Sequence, residues 1–319
     1  MKATFWGTRG SIPTPLTFGE CRAKAKRLLM NARNVDLSDE AAVESYLRSR
    51  PLPEAMTFGG NTPCVEVVED SSRLILDCGS GMHTLGRHMI ASGFSAGEEI
   101  HILQTHTHWD HIMGFPFFAP AYTKGTTIHI HGVHPHLEER FAQQMDLIHF
   151  PITMDDMAAD IVFHQVEKDV TTNLGPFTIR NKALFHPGGS YSYRIEAGGK
   201  TLVFATDGEY KEPTEEIYRP FIEYYRGADV LIFDAMYSTL EKTIERENYG
   251  HSTPVIGLRL ALSAGVKTLV LFHHDPECND AQIAQSFYEA KEFLEIRGKS
   301  ISEKPLELIT AFDGLMIDV

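Results

Sequence analysis

The sequence lacks the cysteine pairs and the long apolar runs that would assign it to several common protein classes. No two of its four cysteines form the C-x-x-C pair of a structural zinc knuckle; they are Cys21, Cys64, Cys78 and Cys278. No stretch approaches the roughly 20 apolar residues that span a bilayer, and the first residues lack the apolar core of a signal peptide. We therefore expect a cytoplasmic protein with reduced thiols and no membrane association.

Positive charge is also scarce. Lysine and arginine number 29 against 43 aspartates and glutamates, which gives a formal net charge of −14. The densest basic stretch is short and runs from Arg22 to Arg27. Because an acidic surface repels a polyanion unless basic residues cluster strongly, the composition disfavours binding of extended nucleic acid. Histidine, with 16 residues, is the unusually frequent residue type.

The order of predicted strands and helices indicates one α/β domain. The chain has 319 residues, of which 43% are hydrophobic and 23% charged, so it can bury a large core. No linker divides it, and we expect a single domain over residues 1–319 with sheets packed face to face and helices outside. Residues 16 to about 57 are predicted to form a helical insertion after the opening strand Ala3–Trp6. Its second helix is expected near Asp39–Arg48, with Ser38 as the cap.

Polar side chains follow apolar strands at five places. The predicted strands include Ile100–Leu103, Thr201–Ala205, Val230–Phe233 and Thr268–Phe272. The residues at or just beyond strand ends are His106, His186, Asp207, Asp234 and His273. Strand ends can deliver many side chains to one edge of a sandwich, and binding sites collect on such loops. The sequence therefore predicts a polar site at one edge of the sheets.

The strongest signal is the segment Thr105–His111, which contains His106, His108, Asp110 and His111. On an extended strand His106 and His108 share a face, because side chains alternate with a period of two. Asp110 and His111 then lie on the turn that leaves the strand and can point elsewhere, which permits two adjacent metal sites. Imidazole and carboxylate ligands suit zinc, with manganese or iron as competitors.

The remaining histidines lack this spacing. They are expected to be surface residues, satisfied core residues or residues that line a substrate cleft, and they include His129, His131, His134, His136, His149 and His164.

At this point the sequence resembles the metallo-β-lactamase superfamily, whose principal motif is His-x-His-x-Asp-His. The later landmarks occur in the family's order, with His186, Asp207 and His273 each following a predicted strand. The segments Gly7–Pro13 and Leu76–Gly81 are similar to the opening strands of the branch that contains tRNase Z and small phosphodiesterases. The segment Gly250–Thr253 resembles the catalytic histidine motif of that branch.

The resemblance implies a four-layer αββα sandwich with two metal ions. The first would be held by His106, His108 and His186, the second by Asp110, His111 and His273, and Asp207 would bridge them. His274 remains an alternative to its neighbour His273. His251 would act as the general acid on the leaving oxygen, and Asp234 would orient it. Asp110 would be both a metal ligand and a catalytic residue.

The resemblance further implies a dinuclear metal-dependent hydrolase, in which a metal-bound hydroxide attacks a small phosphodiester or a cyclic nucleotide. Two dications carry a charge of +4, and Asp110, Asp207 and a hydroxide subtract three, which leaves about +1 to attract a small anionic substrate. We expect two zinc ions, with manganese or iron as substitutes. The sequence leaves a homodimer open.

Four alternatives share parts of this pattern. A tRNA 3′-processing endonuclease often carries a long arm between the third histidine and the bridging aspartate, but His186 and Asp207 are only 21 residues apart. A lactone or thioester hydrolase would use the same ligands. A di-iron electron-transfer protein would have a glutamate in place of His108 and an attached flavin domain. A metal-free binding protein on the same fold would not need the full ligand set.

Overall fold

Two seven-stranded sheets form the framework of the computed structural model, which describes residues 1–211, 214–238, 244–302 and 304–319. The strands of the first sheet are β1 Lys2–Gly7, β2 Cys64–Glu69, β3 Ser72–Leu76, β4 Glu99–Gln104, β5 Thr127–Gly132, β6 Asp160–Gln165 and β14 Met316–Asp318. Those of the second are β7 Thr171–Leu174, β8 Phe177–Leu184, β9 Ser190–Ala197, β10 Lys200–Ala205, β11 Val230–Asp234, β12 Thr268–Phe272 and β13 Glu307–Thr310.

Each sheet combines an antiparallel half with a parallel half. The first sheet has the order β14-β1-β2-β3-β4-β5-β6 and is parallel from β3 to β6. The second has the order β13-β12-β11-β10-β9-β8-β7 and is parallel from β10 to β13. The carboxyl ends of neighbouring parallel strands meet at one edge of a sheet, so the loops that follow β3, β4, β10, β11 and β12 have the placement typical of a functional site.

The sheets pack face to face, with helices on the two outer faces. Alternation along β4 shows why: Leu103 joins the core between the sheets, whereas Ile100 and Ile102 face a second core beneath helices. A third core lies between the second sheet and its own helices. The structure confirms the predicted four-layer α/β/β/α sandwich.

The second helix of the insertion, predicted near Asp39–Arg48, spans Glu40–Arg48. The α-helices within the described residues include Phe18–Asn31, Glu40–Arg48, Leu52–Ala55, Gly81–Ala91, Trp109–Ile112, Leu137–Gln144, Glu215–Tyr225, Pro254–Ala264 and Asp280–Ile301. Gly265 ends the helix Pro254–Ala264 in a left-handed conformation with φ 66°, as its lack of a side chain favours. Within the described residues no helix is both long and apolar enough to cross a membrane.

Residues 16–57 contain three of these helices, and none of the three buries a residue. The prediction that Ser38 caps the second helix is wrong. The carboxylate of Asp39 accepts the Ala41 amide at 3.0 Å, while the Ser38 hydroxyl donates to Asp36 at 2.6 Å. The cap is therefore one residue later, and the insertion itself remains a prediction.

Candidate metal centre

The segment that follows β4 places its polar side chains in two directions, although the predicted turn is a single helical turn, Trp109–Ile112. His106 and His108 precede this helix, and Asp110 and His111 lie within it. The structure brings all seven residues predicted to hold metal into one cluster: His106, His108, Asp110, His111, His186, Asp207 and His273. They come from the ends of β4, β8, β10 and β12.

The first group in this cluster consists of three imidazoles, those of His106, His108 and His186. Their ring centroids lie 4.6 to 4.9 Å apart, and Nε2 of His186 is 3.0 Å from Nδ1 of His108. Nδ1 of His186 donates to the Gly250 carbonyl at 2.9 Å, which leaves Nε2 free to face the other two rings. The arrangement fits three nitrogen ligands around one ion.

The second group consists of Asp110, His111 and His273. The Nε2 atoms of both histidines lie 3.3 Å from Oδ2 of Asp110. The amide of Ser11 donates to the same oxygen at 2.8 Å. The opening loop, which follows β1, therefore fixes the carboxylate that serves this group.

Asp207 lies between the two groups and presents a different oxygen to each. Its Oδ1 is 3.8 Å from Nε2 of both His106 and His186. Its Oδ2 is 3.2 Å from Nε2 of His111 and 3.3 Å from that of His273. This is the geometry of a carboxylate that can contact two ions at once.

Asp207 and His273 both adopt the left-handed backbone conformation, with φ of 58° and 61°. Non-glycine residues rarely adopt it, and it costs on the order of 1–3 kcal/mol. In both cases the residue follows the last residue of a parallel strand by one or two positions. The sharp turn directs the side chain back across the edge of the sheet.

The geometry separates His273 from His274. His274 turns away from the cluster and donates from Nε2 to the Ala311 carbonyl at 2.8 Å. Burial lowers the pKa of His274 to about 4, so it stays neutral in the core. Only His273 is within reach of the acidic groups of the centre.

Asp77 is a supporting residue that the motif analysis quoted but did not assign. His111 donates from Nδ1 to Oδ2 of Asp77 at 2.7 Å, which points Nε2 of His111 into the centre. Asp77 is fully buried and also accepts the Thr105 amide at 2.8 Å. Burial raises the pKa of Asp77, whereas His111 and these hydrogen bonds oppose the rise. The sequence signal that could have identified Asp77 is its position directly after strand β3, at the same edge of the sheet as the ligands.

His251 and Asp234 form a pair beside the second group. Nδ1 of His251 is 2.8 Å from Oδ2 of Asp234, and the His251 ring stacks on His273 with centroids 5.1 Å apart. Asp234 also accepts the amides of Asp207 and Met236. Burial lowers the pKa of His251, but Asp234 and then the carboxylates of Asp207 and Asp110 outweigh it and raise the pKa to about 9.

The donor set fits divalent metal ions. Burial lowers the pKa of His106, His108 and His186, so these rings are neutral, which is the form that binds metal. Burial also lowers the pKa of His111, but the carboxylates around it raise it overall, so an ion must displace a proton there. Nε2 of His106 and of His111 is buried without a hydrogen bond in the described part of the chain, as expected of nitrogens reserved for a metal.

Comparison with known proteins identifies relatives of this chain. A family profile described as "Beta-lactamase superfamily domain" matches residues 72–274. The Ribonuclease Z of Picrophilus torridus is 26% identical over 269 residues, covering 70% of this chain and 84% of that protein.

The solved structures that share the fold include a tRNase Z and a diphosphatase. Human tRNase Z, short form, has a TM-score of 0.61 at 18% identity and covers 100% of this chain and 99% of its own. A diphosphatase from the PhnP family has a TM-score of 0.60 at 18% identity, with coverage of 100% and 97%.

Proposed function

This chain belongs to the β-lactamase superfamily, in the metallo-β-lactamase fold branch that includes tRNase Z, and we propose from that premise that it is a dinuclear phosphodiesterase. It is a metal-dependent hydrolase by family, and its histidine and aspartate clusters suit divalent ions. The observation that carries the proposal is Asp207, because its two oxygens face two separate donor groups. Such a carboxylate suits a pair of ions that share one ligand.

We assign His106, His108 and His186 to the first ion, and Asp110, His111 and His273 to the second. Zinc is the proposed ion at both positions, because imidazole predominates and carboxylates complete the set. When bound, the ions would supply a Lewis acid for the phosphoryl oxygens and lower the pKa of water.

Other residues of the chain hold the metal ligands and the general acid in position. Asp77 holds the His111 ring, and the Gly250 carbonyl holds that of His186, so both Nε2 atoms face the positions proposed for the ions. Asp234 holds His251, whose protonated form can donate to the departing oxygen.

A small phosphodiester or a cyclic nucleotide is the proposed substrate. The net charge of −14 disfavours a long polyanion, whereas the paired ions attract a single phosphate group. Trp109 stands between the candidate ligands His108 and Asp110 in the sequence and is 79% exposed, so its indole is available to stack on a base. One solved structure with the same fold is a diphosphatase from the PhnP family, which supports a phosphate-containing substrate.

Processing of tRNA is the second candidate, and the Ribonuclease Z relatives favour it. Between His186 and Asp207 the chain forms strands β9 and β10, both of which belong to the second sheet. That segment therefore has no arm available to grip a tRNA body. For this reason we place the small-substrate reading first.

One panel of substrates tests the proposal. Purified protein loaded with zinc or manganese is assayed on cyclic nucleotides, bis(p-nitrophenyl) phosphate, a phosphomonoester, a precursor tRNA, a lactone and a thioester. We expect kcat/KM to be highest on the small phosphodiesters and to be abolished in the Asp207→Ala variant. Preferred turnover of the tRNA precursor would establish the second candidate, and preferred turnover of the lactone or thioester would overturn both.

A further inference from the structure

A second cluster of histidines lies on the face of the first sheet that looks toward the second sheet. Its members are His101 on β4, His129 and His131 on β5, and His164 on β6. The parallel register sets His101 beside His129 and His131 beside His164. Residues two apart on a strand share a face, so all four side chains point the same way. We call these four residues the inner-face histidines.

The four rings contact one another in two pairs. Nδ1 of His101 lies 3.1 Å from Nε2 of His131, and Nδ1 of His129 lies 2.9 Å from Nε2 of His164. Ring centroids within the group are 4.5 to 6.3 Å apart. His101 precedes His106 by five residues, about 16 Å along an extended strand, so the group is distinct from the candidate metal centre.

Within each pair, the closest nitrogens of these rings are as near to each other as two nitrogens of the candidate metal centre. There, three imidazoles with centroids 4.6 to 4.9 Å apart include one nitrogen-to-nitrogen approach of 3.0 Å. Zinc–nitrogen bonds of about 2.0–2.1 Å in tetrahedral geometry place two ligand nitrogens roughly 3.3 Å apart. Each pair of inner-face histidines is therefore already spaced as two ligands of one ion.

Three of the inner-face histidines, His101, His131 and His164, are also in the form that binds metal. Burial lowers the pKa of His101 and His164, and burial with the neighbouring imidazoles lowers that of His131 to about 3. These rings are neutral at physiological pH, so an ion has no proton to displace from them. His131 is 5% exposed while the other three are half-buried, which leaves the group open to solvent on one side.

We propose that the inner-face histidines bind one transition-metal dication, Zn²⁺ or Cu²⁺, independently of the catalytic centre. A set of imidazoles without carboxylates suits late transition metals and not Mg²⁺ or Ca²⁺. In the described part of the chain no three of these rings offer nitrogens that lie within 4.8 Å of one another, so the side chains must reorient to bring the two pairs to one ion. Bound there, the ion links three adjacent strands and stabilises the sheet edge without contacting the substrate.

Zinc stoichiometry tests the proposal. Metal-free protein is titrated with Zn²⁺, separated from free ion and analysed for content. We expect about three equivalents in the wild type and about two in the His129→Gln/His164→Gln double variant, with kcat on a phosphodiester unchanged. The matched control is His149→Gln, an exposed histidine outside the group, which should keep three. Equal zinc content in the wild type and a folded double variant would overturn the proposal.

Copper spectroscopy on the wild type decides the case even if the double variant does not fold. Protein already loaded with two zinc ions is given one equivalent of Cu²⁺, and the retained zinc is measured. We expect an electron paramagnetic resonance spectrum split by several nitrogen nuclei and no loss of zinc. Copper that fails to bind, or that binds only by displacing zinc, would show that the inner-face histidines are hydrogen-bonded neutral rings and no metal site.

Discussion

The Nδ1 atom of His251 lies 2.8 Å from Oδ2 of Asp234, whose side chain is completely buried. This fixes the tautomer and the direction of the imidazole, because the nitrogen that faces a carboxylate must carry a hydrogen. The other nitrogen is then the one available to a leaving group.

His251→Ala should keep its metals and lose activity by about 10²–10⁴-fold on a phosphodiester with an alkyl leaving group. The loss should shrink with a p-nitrophenolate leaving group, which needs little protonation. Steady-state kinetics on both substrates, together with metal analysis, measures this. Equal losses on the two substrates would leave only positioning or charge stabilisation for His251, and unchanged activity would remove it from the mechanism.

Asp207→Ala should lose bound metal as well as activity, since one carboxylate serves both donor groups. Elemental analysis of the purified variant should fall well below the two catalytic equivalents expected for the wild type. A variant that keeps both ions and full turnover would contradict the bridging assignment.

The neighbours His273 and His274 provide a matched pair. His273→Gln should lose about one metal equivalent and most activity, because its Nε2 faces Asp110 and Asp207. His274→Gln should keep its metals, because His274 bonds to the Ala311 carbonyl instead. If His274→Gln loses metal and His273→Gln keeps it, His274 is the ligand.

Deletion of residues 18–55, with a short Gly/Ser bridge, should leave a folded and metal-loaded protein with an altered substrate range. The helices removed contribute no buried residue, but Lys24 makes a 2.7 Å ion pair with the buried Asp280. Asp280 keeps Arg9 at 3.7 Å, so the loss should be tolerated. Combining the deletion with Asp280→Asn controls for the Asp280 carboxylate that loses its ion pair with Lys24. If neither protein folds, the segment belongs to the core.

Stability should depend on pH through Asp313, a carboxyl that accepts the amides of Gly60 and Asn61. Burial raises its pKa from 3.8 to about 6, although these hydrogen bonds oppose the rise. The protonated form is favoured in the folded state, so this contribution is full below pH 4 and is lost as the pH rises through 6. Asp313→Asn should therefore gain up to about 3 kcal/mol relative to the wild type between pH 4 and pH 8. Urea unfolding of both proteins at fixed zinc measures the difference, and a difference independent of pH would contradict the prediction.

Local patterns identified the candidate ligands because each lies where an apolar strand ends. Contacts between residues that are far apart in the sequence cannot be predicted from local patterns. Asp77 supports His111 only because β3 and β4 pair in parallel, a relationship that no local pattern encodes. Likewise, His101 and His164 join His129 and His131 through the register of three strands.

The helix Glu215–Tyr225 cannot be predicted from local sequence either, for a physical reason. The helix Glu215–Tyr225 contains Pro220, which removes a backbone donor and reads as a helix breaker in sequence. Packing of Tyr218, Tyr224 and Tyr225 against the second sheet's core outweighs that cost. Residues 215–225 are therefore helical because of tertiary burial, which depends on residues far away in the sequence.

The left-handed backbone at Asp207 and His273 means that the catalytic centre lowers the stability of the metal-free protein. Glycine would adopt these conformations without steric cost, so Asp207→Gly and His273→Gly should each lower the strain of the metal-free chain while removing a donor. Directed evolution for heat resistance under metal starvation would then favour glycine at these positions and discard catalysis. Retention of both side chains requires selection for activity in a cell that keeps the protein supplied with metal.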